Sequence, residues 1–122
     1  DALYGGGKFP HPRLYGSFPK VIRDLVIERK ILSLESAISK MTRMPAEKFG
    51  IKDRGILKAG YYADINIFSP NRLKDMATYE NPRHPSTGMD MVFINGEPAL
   101  EKDQITKIRT GRILGGQIVS KQ

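Results

Sequence analysis

Few residues of this chain are of the types that catalyse reactions or bind metal ions. Its 122 residues include two histidines, His11 and His84, and no cysteine. A zinc site needs at least three nitrogen, oxygen or sulfur ligands, and the two histidines show neither HxH nor HxxxH spacing. We therefore expect His11 to pack structurally and His84 to lie in a surface loop. The chain by itself is not expected to hold a complete zinc site.

No other motif supplies a complete catalytic machinery. The segment GGGK at 5–8 lacks the following Ser or Thr and the helix that a phosphate-binding loop requires. Asp53 and Asp64 stand beside turn and strand patterns, where aspartate commonly accepts hydrogen bonds from backbone N–H groups. No GxSxG motif and no plausible Ser-His-Asp triad is present. From its residues alone, the chain is not a self-sufficient enzyme.

The first half of the chain is predicted to be helical after an initial loop, and loops of that length are often functional. Ser17 can cap a helix whose first turn accommodates Pro19. Ser33 caps a second helix, and Gly50 can end a third in the left-handed conformation. The predicted segments, in order, are a loop over 1–17 and helices over about 18–30, 34–43 and 45–49.

The second half is predicted to form strands. Alternating apolar residues indicate a half-buried strand at 62–68. Asn95-Gly96, between MVFI and PAL, predicts a tight hairpin in which both turn residues have positive φ. The polar, proline-interrupted segment 71–88 is predicted to be a long excursion from the sheet, and a last β-like run covers 112–120.

Composition narrows the class of protein. The chain carries 20 Lys and Arg against 13 Asp and Glu, a net charge of +7. Its cations are scattered, and the densest group, 23–30, also contains Asp24 and Glu28, so we expect a solvated surface and no nucleic-acid partner. No apolar run approaches the ~20 residues of a membrane-spanning helix, and no signal-peptide pattern opens the chain. We expect no membrane association and a cytoplasmic location.

The order of several segments resembles a known superfamily. KAGYYADINIF, then MVFINGEPAL, then TGRIL are similar to the C-terminal segment of the metal-dependent amidohydrolases. HPRLYGSFPKVI at 11–22 and LSLESAISKMTRMPAEKFGIKDRGILKAGYYADI at 32–65 narrow the resemblance to the N-acyl-D-amino-acid deacylases, or D-aminoacylases. The resemblance covers nearly the whole chain. It implies an α+β fragment, with the last helices of a (β/α)8 barrel over 1–54 and strands of the small β-sandwich over 55–122.

The same resemblance implies an activity and a site. Members of this family hydrolyse the amide of N-acyl-D-amino acids with zinc. An Asp about ten residues before HPR sits at their metal centre and acts as general base, then passes the proton to the leaving amine. Asp1 has this spacing here, and we expect it to be catalytic in the intact enzyme but only a frayed terminal residue in the isolated chain. Arg13 is expected either to hold the loop or to bind a substrate carboxylate bidentately.

The family's other zinc ligands would lie upstream of Asp1. We therefore expect this chain to be the C-terminal part of a deacylase, cut at its catalytic Asp, that packs on the rest of the same polypeptide's barrel and is inactive alone. Two alternatives stay open. One is a related amidohydrolase that acts on a cyclic amide, such as a dihydroorotase or hydantoinase. The other is a stand-alone basic binding domain, suggested by the +7 charge.

Overall fold

A computed structural model describes residues 10–114, in which helices come first and an antiparallel sheet follows. This order confirms the predicted α+β organisation. The helices are α1 (Arg13–Val21), a π-helix (Ile22–Glu28), α2 (Leu34–Met41) and α3 (Arg43–Lys48). The strands are β1 (Ile65–Phe68), β2 (Met89–Ile94), β3 (Glu97–Glu101) and β4 (Gln104–Ile105). In the part of the chain described, no helix is long and apolar enough to cross a membrane.

Helix α1 begins earlier than the sequence pattern predicts. It starts at Arg13, whose backbone N–H donates to Nδ1 of His11 at 3.1 Å. Ser17 and Pro19 both lie inside the helix, and the Ser17 hydroxyl donates to the Arg13 carbonyl at 2.7 Å. The predicted loop is therefore wrong at 13–17, as are the Ser17 cap and the first-turn Pro19, while residues 1–9 of that loop lie outside the described residues. An imidazole nitrogen takes the first helical N–H here, and the usual Ser, Thr, Asp and Asn signals do not reveal such a partner.

The second part of the predicted helix 18–30 is a π-helix. Arg29 donates its backbone N–H to the carbonyl of Asp24, five residues earlier, at 3.0 Å. The segment ends where Lys30 takes a positive φ of 50°. The apolar spacing that predicts an α-helix over so few turns does not separate 3.6 residues per turn from the wider π-helical turn.

The next two helices agree with the sequence pattern in their caps. Ser33 accepts the N–H of Ser36 at 3.2 Å, which confirms the predicted N-cap of α2. Thr42 breaks the helix with φ −128° and ψ −79°, so α2 ends at Met41 and α3 starts separately. Gly50 has φ +65°, as predicted for the end of α3.

The sheet is a four-stranded antiparallel meander in the order β1-β2-β3-β4. The predicted hairpin is confirmed, with φ of 52° at Asn95 and 87° at Gly96. Strand β4 was not predicted; it follows a turn in which Lys102 and Asp103 both have positive φ. The predicted strand 62–68 is shorter in the structure. Residues 112–114 of the last β-like run are not a strand, and the rest of that run lies outside the described residues.

The described residues bury little of their apolar surface. The buried hydrophobic side chains among them are small in number: Ile22, Ala37, Ala46 and Leu73. Large apolar side chains on both halves are exposed, among them Phe18, Phe49, Leu57, Tyr79 and Ile105. Every residue of β2 is only half-buried, so neither face of the central strand is closed. So many exposed large apolar side chains favour contact with another part of a protein.

Candidate functional site at the start of helix α1

The first turn of α1 presents a histidine and an arginine side by side. His11 uses both ring nitrogens, since Nδ1 accepts the Arg13 N–H and Nε2 lies 3.1 Å from the Tyr79 hydroxyl. The His11 and Tyr79 rings also meet edge to face, with centroids 5.2 Å apart and planes at 73°. His11 is itself exposed, so these contacts hold its ring at the surface, and the expected packing is limited to the contact with Tyr79.

Arg13 is exposed at the first position of α1. Its backbone N–H and carbonyl are bonded to His11 and Ser17, but its guanidinium makes no hydrogen bond or ion pair with any residue of the described range. A planar guanidinium without such partners can bind a carboxylate by donating two parallel N–H···O bonds to it. The structure therefore supplies no structural anchor for this side chain within residues 10–114.

The predicted excursion packs along α1, and we call it the 71–88 loop. Lys74 and Thr87 close its base with two backbone hydrogen bonds of 2.9 Å. From there the loop reaches α1 at Gly16, where an added Cβ would lie 3.1 Å from Cβ of Asp75. His84 lies in this loop, partly exposed, with Nδ1 2.9 Å from the carbonyl of Pro85, as expected of a loop residue.

A charge cluster fastens the same loop to the helices. The Asp75 side chain is only 10% exposed and pairs with Arg23 and, at 3.8 Å, with Lys20. Lys20 also bonds Asp24 at 2.9 Å, which lowers the pKa of Asp24; partial burial opposes this shift and the Arg23 guanidinium adds to it. The expectation of a solvated surface is wrong at Arg23, because its side chain is partly buried and pairs with Asp75, which is distant in sequence.

A second polar junction lies at the end of the sheet. The Arg54 side chain, 10% exposed, bonds Asp64 and the side-chain oxygen of Asn95, and its guanidinium lies 4.1 Å from the ring centroid of Tyr62. Asp64 also accepts the backbone N–H of Asn95 at 2.8 Å, which confirms its predicted contact with the backbone. Asp53 lies in a turn with φ +58°. No local sequence pattern identifies Arg54 as this hub, since its partners are up to 41 residues away.

The described residues do not fit a metal centre. Within residues 10–114, no three His, Asp or Glu side chains come together so that they could hold a metal ion. A cavity of about 240 Å³ beside α3 is lined by Arg43, Lys52, Glu47 and Asp53 among others, a mixture of charges that selects no class of ligand. Asp1 lies outside the described residues.

The amino-acid sequence matches the Amidohydrolase family over residues 4–100. A D-aminoacylase from Alcaligenes xylosoxydans xylosoxydans is 40% identical over 105 residues, which are 86% of this chain and 22% of that enzyme. The chain thus spans about a fifth of the length of this relative and of the N-acyl-D-aspartate and N-acyl-D-glutamate deacylases of the same organism. A dihydroorotase from Lactobacillus acidophilus matches less, with 35% identity over 77 residues, 63% of this chain and 17% of that enzyme.

Solved structures share the backbone of this chain. A D-aminoacylase mutant in complex with copper chloride superposes with a TM-score of 0.84 at 39% identity, over 88% of this chain and 23% of that one. An N-acyl-D-glutamate deacylase from Bordetella bronchiseptica, complexed with zinc and a phosphonate mimic of the tetrahedral intermediate, superposes with a TM-score of 0.72 at 41% identity. That match covers 74% of this chain and 19% of the deacylase.

Proposed function

This chain belongs to the Amidohydrolase family, and we propose that it is the C-terminal part of a hydrolase that cleaves the amide of N-acyl-D-amino acids. The observation that carries the proposal is the agreement with D-aminoacylase in both sequence and backbone over most of the chain. The weaker dihydroorotase match covers a smaller share and supports a cyclic-amide substrate less well. We retain a cytoplasmic location as a prediction of the sequence.

We propose that residues 1–54 complete the C-terminal end of a (β/α)8 barrel and that 55–122 contribute strands to a small β-sandwich. The change from helix to sheet supports this division, because the last helix ends at Lys48 and the first strand begins at Ile65. The exposed apolar side chains of both parts support contact with the rest of the same polypeptide. The barrel would place the segment before α1 at the active-site mouth.

Arg13 is the described residue that we assign to the substrate. The substrate class carries a free carboxylate next to the scissile amide. The Arg13 guanidinium, which has no partner among residues 10–114, has the planar shape to bind it bidentately. This assignment takes the second of the two roles predicted for Arg13. The first role, holding the loop, has no supporting contact within residues 10–114.

Asp1 is proposed as the general base of the reaction. Its carboxylate would accept a proton from the hydrolytic water and return it to the leaving amine. We propose zinc as the cofactor of the complete protein, with ligands outside residues 10–114, Asp1 among them. A bound divalent metal supplies Lewis acidity and eases the ionisation of water.

The proposal is tested on the complete polypeptide that contains this chain. We expect zinc-dependent hydrolysis of N-acetyl-D-methionine, with little turnover of N-acetyl-L-methionine or dihydroorotate, measured as release of the free amine. Asp1→Asn should lower kcat by 10² or more, because it removes the proton acceptor. The 122-residue chain alone should show no turnover. Preference for dihydroorotate, or deacylation by the isolated chain, would contradict the proposal.

A further inference from the structure

We propose that the 71–88 loop positions Arg13 for substrate binding and that Tyr79 and His11 transmit this positioning. The inference rests on the proposed function, because it assumes that Arg13 binds the substrate carboxylate. Tyr79 and His11 are positioning residues in this proposal and do not touch the substrate themselves. Four features of the described residues support it.

The base of the loop is closed by hydrogen bonds and close packing. The paired hydrogen bonds between Lys74 and Thr87 join its two ends, and Leu73 beside them is 3% exposed. Gly88 has φ +96°, and an added Cβ would overlap the carbonyl oxygen of Arg72 and lie 2.7 Å from Cα of Leu73. A loop closed this tightly holds its tip at a defined distance from the sheet.

The turn that carries Tyr79 is also ordered by its own hydrogen bonds. Thr78 donates its N–H to the Asn81 carbonyl at 3.2 Å, and the Thr78 hydroxyl accepts the Asn81 N–H at 3.0 Å. The Glu80 carboxyl group has a lowered pKa, because it accepts hydrogen bonds from the Glu80 backbone N–H and, to a smaller extent, from the Thr78 side chain. The Tyr79 hydroxyl is therefore presented from a fixed turn.

The loop supplies a hydrogen bond that α1 lacks. Pro19 has no N–H, so the carbonyl of Tyr15, four residues earlier, loses its α-helical donor. The hydroxyl of Ser86 donates to this carbonyl at 3.1 Å. Together with the close approach of Asp75 to Gly16, this contact attaches the loop directly to the body of the helix.

His11 joins the loop to the first turn of the helix. Nε2 meets the Tyr79 hydroxyl, while Nδ1 holds the N–H of Arg13. A shift of Tyr79 therefore rotates the imidazole and moves the backbone from which the Arg13 side chain projects. Bidentate binding depends on such orientation, because two N–H···O bonds must align at once.

The test uses steady-state kinetics of the complete polypeptide with N-acetyl-D-methionine. Tyr79→Phe keeps the ring contact and removes the hydroxyl, and we expect KM to rise about threefold to tenfold with kcat changed less than twofold. Arg13→Lys keeps the charge and loses the planar fork. If Tyr79 acts through Arg13, Tyr79→Phe should raise KM no further in the Arg13→Lys background.

A rescue pair repeats the test at His11. Asn can accept the Arg13 N–H through its side-chain oxygen, as in an Asx turn, so His11→Asn should retain more substrate affinity than His11→Ala. The two His11 variants replace the Tyr79→Phe test if Tyr79→Phe lowers the yield of folded protein. Tyr61→Phe is the matched control, since it removes a tyrosine hydroxyl away from α1 and should leave KM unchanged.

The possible results separate the two proposals. A wild-type protein without deacylase activity overturns the proposed function. An active wild type in which Tyr79→Phe and Arg13→Lys raise KM by independent factors, or in which Tyr79→Phe lowers only kcat, overturns the positioning role and leaves the function intact. Equal KM values for His11→Asn and His11→Ala also count against it.

Discussion

Two regions of this molecule are each organised around one charged side chain that is only 10% exposed, a cation in one region and an anion in the other. At the end of the sheet this side chain is Arg54, which contacts Asp64, Asn95 and Tyr62. These partners belong to strand ends and turns that the sheet already brings together. The junction therefore reinforces contacts that the backbone pairing of β1 with β2 creates.

Beside α1 the largely shielded charge is the carboxylate of Asp75. Asp75 pairs with Lys20 and Arg23, which lie on one helical stretch and are themselves more exposed. No backbone ladder joins the loop to this helix, so side chains and the Ser86–Tyr15 hydrogen bond carry the attachment. We infer that the α1 region depends on tertiary contacts for its shape, whereas the hairpin region keeps its shape through local geometry.

The largest expected difference in unfolding free energy between the two regions is at two glycines. Gly88 and Gly96 both have positive φ, but an added Cβ overlaps the Arg72 carbonyl at Gly88 and meets nothing within 4 Å at Gly96. Gly96→Ala should lower the free energy of unfolding by about 1 kcal/mol, from conformation alone. Gly88→Ala adds a backbone clash and should lower it by about 3 kcal/mol. Urea unfolding of both variants checks this, and equal losses would contradict it.

An intermediate effect is expected at the Arg54 junction. Asp64→Ala leaves a 10% exposed guanidinium without its carboxylate and should cost about 2 kcal/mol of unfolding free energy. Asp90→Ala is the matched control, because Asp90 pairs with Arg72 at 2.7 Å where both side chains are exposed. That change should cost less than about 1 kcal/mol. An equally large loss of unfolding free energy in Asp90→Ala would show that the shielding of Arg54 adds nothing to the junction.

The smallest effect is a pH dependence of the α1 region. Lys20 lowers the pKa of Asp24 from its ordinary value of 3.8, so the folded state binds this proton less readily than the unfolded state. The stabilisation is present above pH 3.8 and is lost as the pH falls through the lowered pKa of the folded state. Asp24→Asn should therefore flatten the acid side of the unfolding free-energy profile. Parallel profiles for the variant and the wild type would refute this.

The sequence predicts the elements whose determinants are local. Ser33 caps α2, Gly50 ends α3 and Asn95-Gly96 turns the hairpin, each as expected. In each case a single residue type satisfies a backbone requirement within a few positions of itself. The family resemblance likewise follows from contiguous motifs, and the comparisons confirm it.

The start and the course of α1 depend on tertiary contacts. The helix starts at Arg13 and contains Pro19 because His11, Ser86 and Asp75 provide contacts that no local pattern reveals. The types of α2, α3, β1, β2 and β3 could be predicted from the sequence, since turn conformation and side-chain periodicity are properties of neighbouring residues. The long-range partners of these elements could not be predicted, because a hydrogen bond or ion pair between residues far apart in sequence forms only when the chain folds.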